Sequence, residues 1–122
     1  IGFSQGGCLA LEAAARQGRP LHAVIGISSA LDGTEEAPDR PAIRRYPEKS
    51  LRYHHGLDGL PAYLSCHEED PHIPLSRVQD TKAAFASLGA TVELRVKQGS
   101  GHWMDDQDVT LMRRVLNRPP YD

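Results

Sequence analysis

Apolar residues fall into short bursts along the chain, and the spacing inside each burst predicts its element. The run 8–15, CLALEAAA, is apolar on nearly every side, with Glu12 its one charge. Ala and Leu are the strongest helix formers, so this run predicts a buried helix, stopped by Gly18 and Pro20. Ala23-Val24-Ile25-Gly26-Ile27-Ser28 is continuous and β-rich, which fits a strand covered on both faces. A second run of strand length, Ala62-Tyr63-Leu64-Ser65-Cys66, gives way abruptly to His67-Glu68-Glu69-Asp70-Pro71. Val78, Phe85 and Leu88 then recur at helical spacing between Ser76, which pairs with Gln79 as a capping box, and Gly89 as the stop. Val92, Leu94 and Val96 alternate with Glu93, Arg95 and Lys97, the period of a strand with one wet face and hence of a sheet edge. A final helix, capped by Asp105 or Asp106, carries Val109, Met112 and Leu116. Arg113, Arg114 and Arg118 complement its dipole, and Pro119-Pro120 stop it.

Helix, strand, loop, strand, helix, strand, helix is an α/β order, and parallel strands are expected. Between the first two strands, residues 29–60 carry Pro38, Pro41 and Pro47 and mixed charges, and read as a long loop holding one helical turn. Compact domains seldom keep such a connection unless it binds something, so 29–60 is a candidate wall for a site.

Composition narrows the classes. A chain of 122 residues accommodates one domain, and 39% hydrophobic with 25% charged residues is globular material. Lys and Arg number 14 against 16 Asp and Glu, a net charge of -2, which leaves no basic excess for nucleic acid. No apolar run reaches the roughly 20 residues of a membrane span, so no transmembrane segment is expected. Cys8 and Cys66 each sit in an apolar run and read as buried free thiols, which points to a reducing, cytoplasmic setting. The first residue is Ile1 and a motif follows at once, which reads as the start of a fragment.

That motif is Gly2-Phe3-Ser4-Gln5-Gly6, a match to G-x-S-x-G, the turn that lifts a serine hydroxyl above the end of a strand. Alone it arises by chance about once in 25 chains of this length. The small-residue helix that follows is what the turn requires, although the strand expected to enter it lies outside the sequence. A serine needs an imidazole base held by a carboxylate. Asp70 lies just past the second strand and His102, in Gly99-Ser100-Gly101-His102, just past the third. Pro71 fixes the backbone after Asp70, and neighbouring side chains of a strand point differently, so Asp70 is the expected acid of the three. Reactive groups of parallel sheets gather at the carboxyl ends of strands, which puts Ser4, Asp70 and His102 on one edge.

GFSQGG before a small-residue helix, DPHIP after a strand and GSGH after the last strand together resemble the phospholipase/carboxylesterase branch of the α/β-hydrolases, which includes the acyl-protein thioesterases. The likeness runs from Ile1 to about Asn117. It implies the C-terminal half of an α/β-hydrolase: one partial domain over 1–122 that opens at the nucleophile turn, with a mostly parallel sheet and flanking helices. It also implies a serine hydrolase that cleaves carboxylic esters, with thioesters and lysophospholipids in the same class, through an acyl-enzyme. Carried over residue by residue, the nucleophile falls on Ser4, the acid on Asp70, the base on His102 and one oxyanion donor on the Gln5 backbone N–H. The second donor and the first five strands belong to the part of the family's chain that has no counterpart here. The sequence departs from the family at His67-Glu68-Glu69, where a shorter Gly-containing turn is common, and at His72, where an apolar residue is usual.

The remaining candidates are plainer. Trp103 and Met104 follow the base directly and are read as substrate-binding residues or as core. His67, Asp70 and His72 are explained by one acid and two loop histidines, so no metal is expected, and no cofactor is needed. His54, His55, Arg44 and Arg45 read as a solvated loop that walls the site. The expected partners are a small ester substrate and the missing N-terminal half, in the same or another chain, with a homodimer as one way to cover the open edge. The competing reading is a non-catalytic fragment of the fold that serves as a binding or scaffold module.

Overall fold

Alternation along the strands sorts the core into two layers, one on each face of a parallel sheet. The computed structural model describes residues 1–18, 20–33, 35–36 and 49–119. In chain order these form β1 (Gly2–Phe3), α1 (Gln5–Gln17), β2 (Val24–Ile27), β3 (Glu35–Glu36), β4 (Lys49–Ser50), β5 (Pro61–Glu69), α2 (Leu75–Ser87), β6 (Thr91–Ser100) and α3 (Asp106–Leu116). The main sheet has the order β1-β2-β5-β6, and all three pairings are parallel, with Phe3 opposite Ile27, Ile27 opposite Ser65, and Cys66 opposite Val96. This is the mostly parallel α/β arrangement with flanking helices that the sequence predicts.

On one face, Val24, Ala62, Leu64 and Cys66 pack with Leu11, Ala14 and Ala15 of α1 and Val78 and Phe85 of α2. On the other, Ile25 and Ile27 pack with Val115, Leu111 and Met112 of α3. Successive strand residues point to opposite faces, so one short run such as Val24–Ile27 serves both layers and is buried throughout.

Several expectations are corrected. The strand entering the Ser4 turn is present, as the two residues of β1. The first helix runs from Gln5 to Gln17 and buries one face, leaving Leu9 71% exposed. The stretch 29–60 is less loop-like than its prolines imply. Leu31, Leu57 and Leu60 are core residues, and β3 pairs with β4 antiparallel. No helical turn occurs there among the described residues, and Arg44, Arg45 and the rest of 37–48 lie outside them.

The polar run 67–69 continues β5 and does not end it. Its neighbour β6 extends beside it to Ser100, so the ladder goes on through an irregularity between His67 and Glu69. The second helix starts at Leu75 with Pro74 as its cap residue, and the capping box from Ser76 does not form. Proline holds the cap backbone at φ -61°, and its carbonyl accepts from Arg77 N–H at 3.0 Å, which starts the helix ahead of Ser76 and leaves Ser76 inside the first turn. The polar face of β6 is not wet throughout, because α3 covers it and buries Lys97, while Val96 is 40% exposed. In α3, Asp105 is the cap and shares a capping box with Asp108, and Val115 takes the buried position expected of Leu116. Cys66 is buried, whereas Cys8 is only half-buried; both are free thiols. No helix among the described residues is long and apolar enough to cross a membrane.

Candidate active site

Ser4 sits between β1 and α1 with φ 54° and ψ -122°, a backbone conformation that costs a non-glycine residue on the order of 1–3 kcal/mol. Two tethers hold it there: its N–H donates to Ile27 O at 2.9 Å, and its carbonyl accepts from Cys8 N–H at 2.9 Å. The turn is tight enough that a Cβ on Gly2 would collide with the Gly6 carbonyl, and one on Gly7 with Ser29 Oγ. The strand end and helix start therefore press together through glycines, and the serine side chain is pushed outward.

Asp70 follows the last residue of β5. Its Oδ1 accepts the N–H groups of His72 and Ile73 at 2.7 and 2.9 Å across Pro71, which aims Oδ2 the other way. His102 lies in the loop after β6, and its Nδ1 is 2.7 Å from Asp70 Oδ2 while its Nε2 is 2.7 Å from Ser4 Oγ. The structure thus brings Ser4, His102 and Asp70 into one hydrogen-bonded line across the carboxyl ends of three strands. The Asp70 side chain is fully buried and the His102 side chain 17% exposed. Burial alone would raise the Asp70 carboxyl. The hydrogen bond with His102 and those from Ile73 and His72 outweigh it and hold the group below the usual carboxylate range.

Of the three consecutive acids, only Asp70 turns toward the imidazole. Glu68 accepts from Gly99 N–H at 2.9 Å and Glu69 from Ser100 Oγ at 3.0 Å, so both brace the β5–β6 end. Gln5 is the first residue of α1, where a helix leaves its N–H groups without intrahelical acceptors and carries the positive end of its dipole. Trp103 is 55% exposed; with His102, Asp70 and Glu69 it lines an open hollow of about 520 Å³. Met104 is also exposed, which removes the core reading for both residues. A second hollow of about 570 Å³ on the other side of the turn is lined by Gln5, Cys8 and Asp32, the last from the stretch 29–60. A third, between the middle of the sheet and α3, is remote from Ser4.

Residues that sequence reasoning left aside also border the line. The His72 ring stands edge-on to His102 with centroids 4.7 Å apart, and the Phe3 ring lies 5.5 Å away. Phe3 is readable as the residue before the serine, but His72, two residues before Pro74, has no sequence signal that places its ring on His102. His67 is buried against Trp103, where burial first and Lys97 second push its imidazole down. No group of three or more His, Cys, Asp or Glu side chains that could hold a metal occurs among the described residues.

A profile of the family described as phospholipase/carboxylesterase matches residues 1–118. No curated protein sequence matches the chain. Among solved structures, the phospholipase/carboxylesterase of Dyadobacter fermentans is 29% identical with a TM-score of 0.77, over 96% of this chain and 51% of its own. The Bacillus cereus carboxylesterase is 15% identical at TM-score 0.69, covering 93% and 46%, and Arabidopsis thaliana SOBER1 is 20% identical at 0.64, covering 95% and 51%. The chain spans about half the length of each.

Proposed function

Since the chain belongs to the phospholipase/carboxylesterase family, we propose that it carries the nucleophile, base and acid of a serine hydrolase acting on carboxylic esters. The observation that carries this reading is the continuous line Ser4 Oγ, His102 Nε2, His102 Nδ1, Asp70 Oδ2, with both contacts at 2.7 Å. Thioesters and lysophospholipids share the same acyl chemistry and fall within the proposed class.

In this reading Ser4 Oγ attacks the ester carbonyl carbon while its proton passes to His102 Nε2. Asp70 stays ionised, holds Nδ1 protonated and stabilises the imidazolium that results. The Gln5 N–H, at the start of a 13-residue helix, donates to the developing oxyanion. Collapse of the tetrahedral species breaks the bond to the leaving oxygen, which takes the proton from Nε2. Water then repeats the sequence on the acyl-Ser4 ester, releasing a carboxylate and restoring the serine. Trp103 and Met104, both exposed and next to the base in sequence, contact the substrate in this reading. Because the chain spans about half of its structural neighbours, we assign the second oxyanion donor to polypeptide outside it.

Turnover of a p-nitrophenyl ester by the complete protein tests the reading. Ser4→Ala and His102→Ala are each expected to lower kcat by roughly three powers of ten or more, since members of one relay act as a unit. Either variant retaining more than about a tenth of the activity overturns the assignment.

A further inference from the structure

The loop that carries His102 rests on a partly buried charge cluster that the reaction above does not use. Lys97 is 8% exposed, near the end of an edge strand where a lysine would ordinarily reach water. Its Nζ donates to the Trp103 carbonyl at 2.7 Å and to Asp108 Oδ2 at 2.9 Å. Asp108, fully buried in the first turn of α3, gives its other oxygen to Arg95 at 2.6 Å, and Arg95 also grips Asp105, the helix cap. Two cations and two anions thus tie β6 to the start of α3, with the loop 101–104 pinned between them.

Both neighbours of His102 are held by this floor. Trp103 is held through its carbonyl by Lys97, and through its ring by His67, whose centroid is 4.6 Å away. Gly101 lies so close over the same pair that a Cβ there would sit 2.6 Å from His67 Nε2 and from the Trp103 ring. Besides the Lys97 contact to the Trp103 carbonyl, the loop backbone meets the strands, among the described residues, through Gly101 N–H to Glu69 O at 3.1 Å. A buried ion pair is a weak source of stability, because desolvation cancels most of the attraction and a hydrophobic pair of similar volume serves as well. What a hydrophobic pair would not supply is a donor fixed on the Trp103 carbonyl.

We propose that Lys97 is a positioning residue, which sets the height of the loop 101–104 by clamping the Trp103 carbonyl to Asp108 and so holds His102 in line between Ser4 and Asp70. This rests on the serine-hydrolase reading, and the experiment separates the two. In the complete protein, kcat is measured per active site titrated to completion with a fluorophosphonate, so that unfolded molecules drop out. Lys97→Met is expected to lower kcat per site about tenfold to a hundredfold, the scale of an ångström-sized misplacement. KM is expected to stay within about twofold, and Lys97→Arg, which keeps a donor and the charge, to recover most of the loss. Should Lys97→Met fail to accumulate as folded protein, Lys97→Met/Asp108→Asn removes both charges together and carries the same measurement. Native kcat per site in these variants, or a rise in KM alone, overturns the positioning role and leaves the hydrolase reading standing. A native protein that neither titrates nor turns over ester overturns both.

Discussion

Ser4 is held in a conformation that its own side chain disfavours, and the buried Asp70 carboxyl is held below the usual carboxylate range; both conditions depend on a few short hydrogen bonds. Asp70 spends one oxygen on the His72 and Ile73 N–H groups, so its other oxygen has one direction left, toward His102. Asp70→Asn should therefore cost roughly three powers of ten in kcat, by presenting an amide that favours the wrong imidazole tautomer. Glu68→Gln and Glu69→Gln should change kcat by less than about threefold, since each acid braces a strand end and neither reaches the imidazole. The same carboxyl gives a pH dependence whose sign follows from its lowered value. Between that value and the unfolded one near 3.9 the native state binds fewer protons than the unfolded chain. Asp70 thus contributes stability that is complete above this window and is lost as pH falls through it. Denaturant titrations from pH 6 downward should show a shallower acid decline for Asp70→Asn than for the native protein, and an unchanged decline would contradict the assigned ionisation.

At the level of elements, the strongest signals in the sequence were those with a period. The run 23–28 and the alternation Val92, Leu94, Val96 located β2 and β6, and the cap was narrowed to Asp105 or Asp106, of which Asp105 forms it. Misreadings arose where tertiary contact overrode a local rule. Lys97 and Arg95 read as a wet face because the pattern cannot show that Asp108, eleven residues beyond Lys97, returns as a counter-charge. The strand β5 outran its apolar core because β6 offers it backbone partners as far as Ser100. Ser76 matched a capping box, but the helix begins one residue earlier, at Leu75 with Pro74 as its cap position. These readings separate in a stability measurement. Asp105→Ala, which removes both the cap and an Arg95 contact, should destabilise by about 1–2 kcal/mol. Ser76→Ala should remain within about 0.5 kcal/mol of the native protein. Equal losses in the two variants would mean that Ser76 caps α2 after all.

For the whole molecule, the order Ser4, Asp70, His102 at three strand ends was legible because a parallel sheet collects such positions on one edge. Their convergence to contact distance was not, since it depends on β1-β2-β5-β6 being neighbours in that order. Nor could the sequence place the floor beneath the His102 loop, which joins residues from β5, β6 and α3. Ile1, Phe3 and Leu9 expose apolar side chains around the turn, and the chain spans about half the length of its structural neighbours. The central claim is that Ser4 is a nucleophile activated by His102. Incubation of the complete protein with a fluorophosphonate, followed by mass spectrometry of its peptides, tests this most directly. One adduct per molecule is expected, on Ser4, formed at least about a hundredfold more slowly in His102→Ala. An adduct on another residue, no adduct at all, or labelling of Ser4 at the native rate without His102 would contradict it.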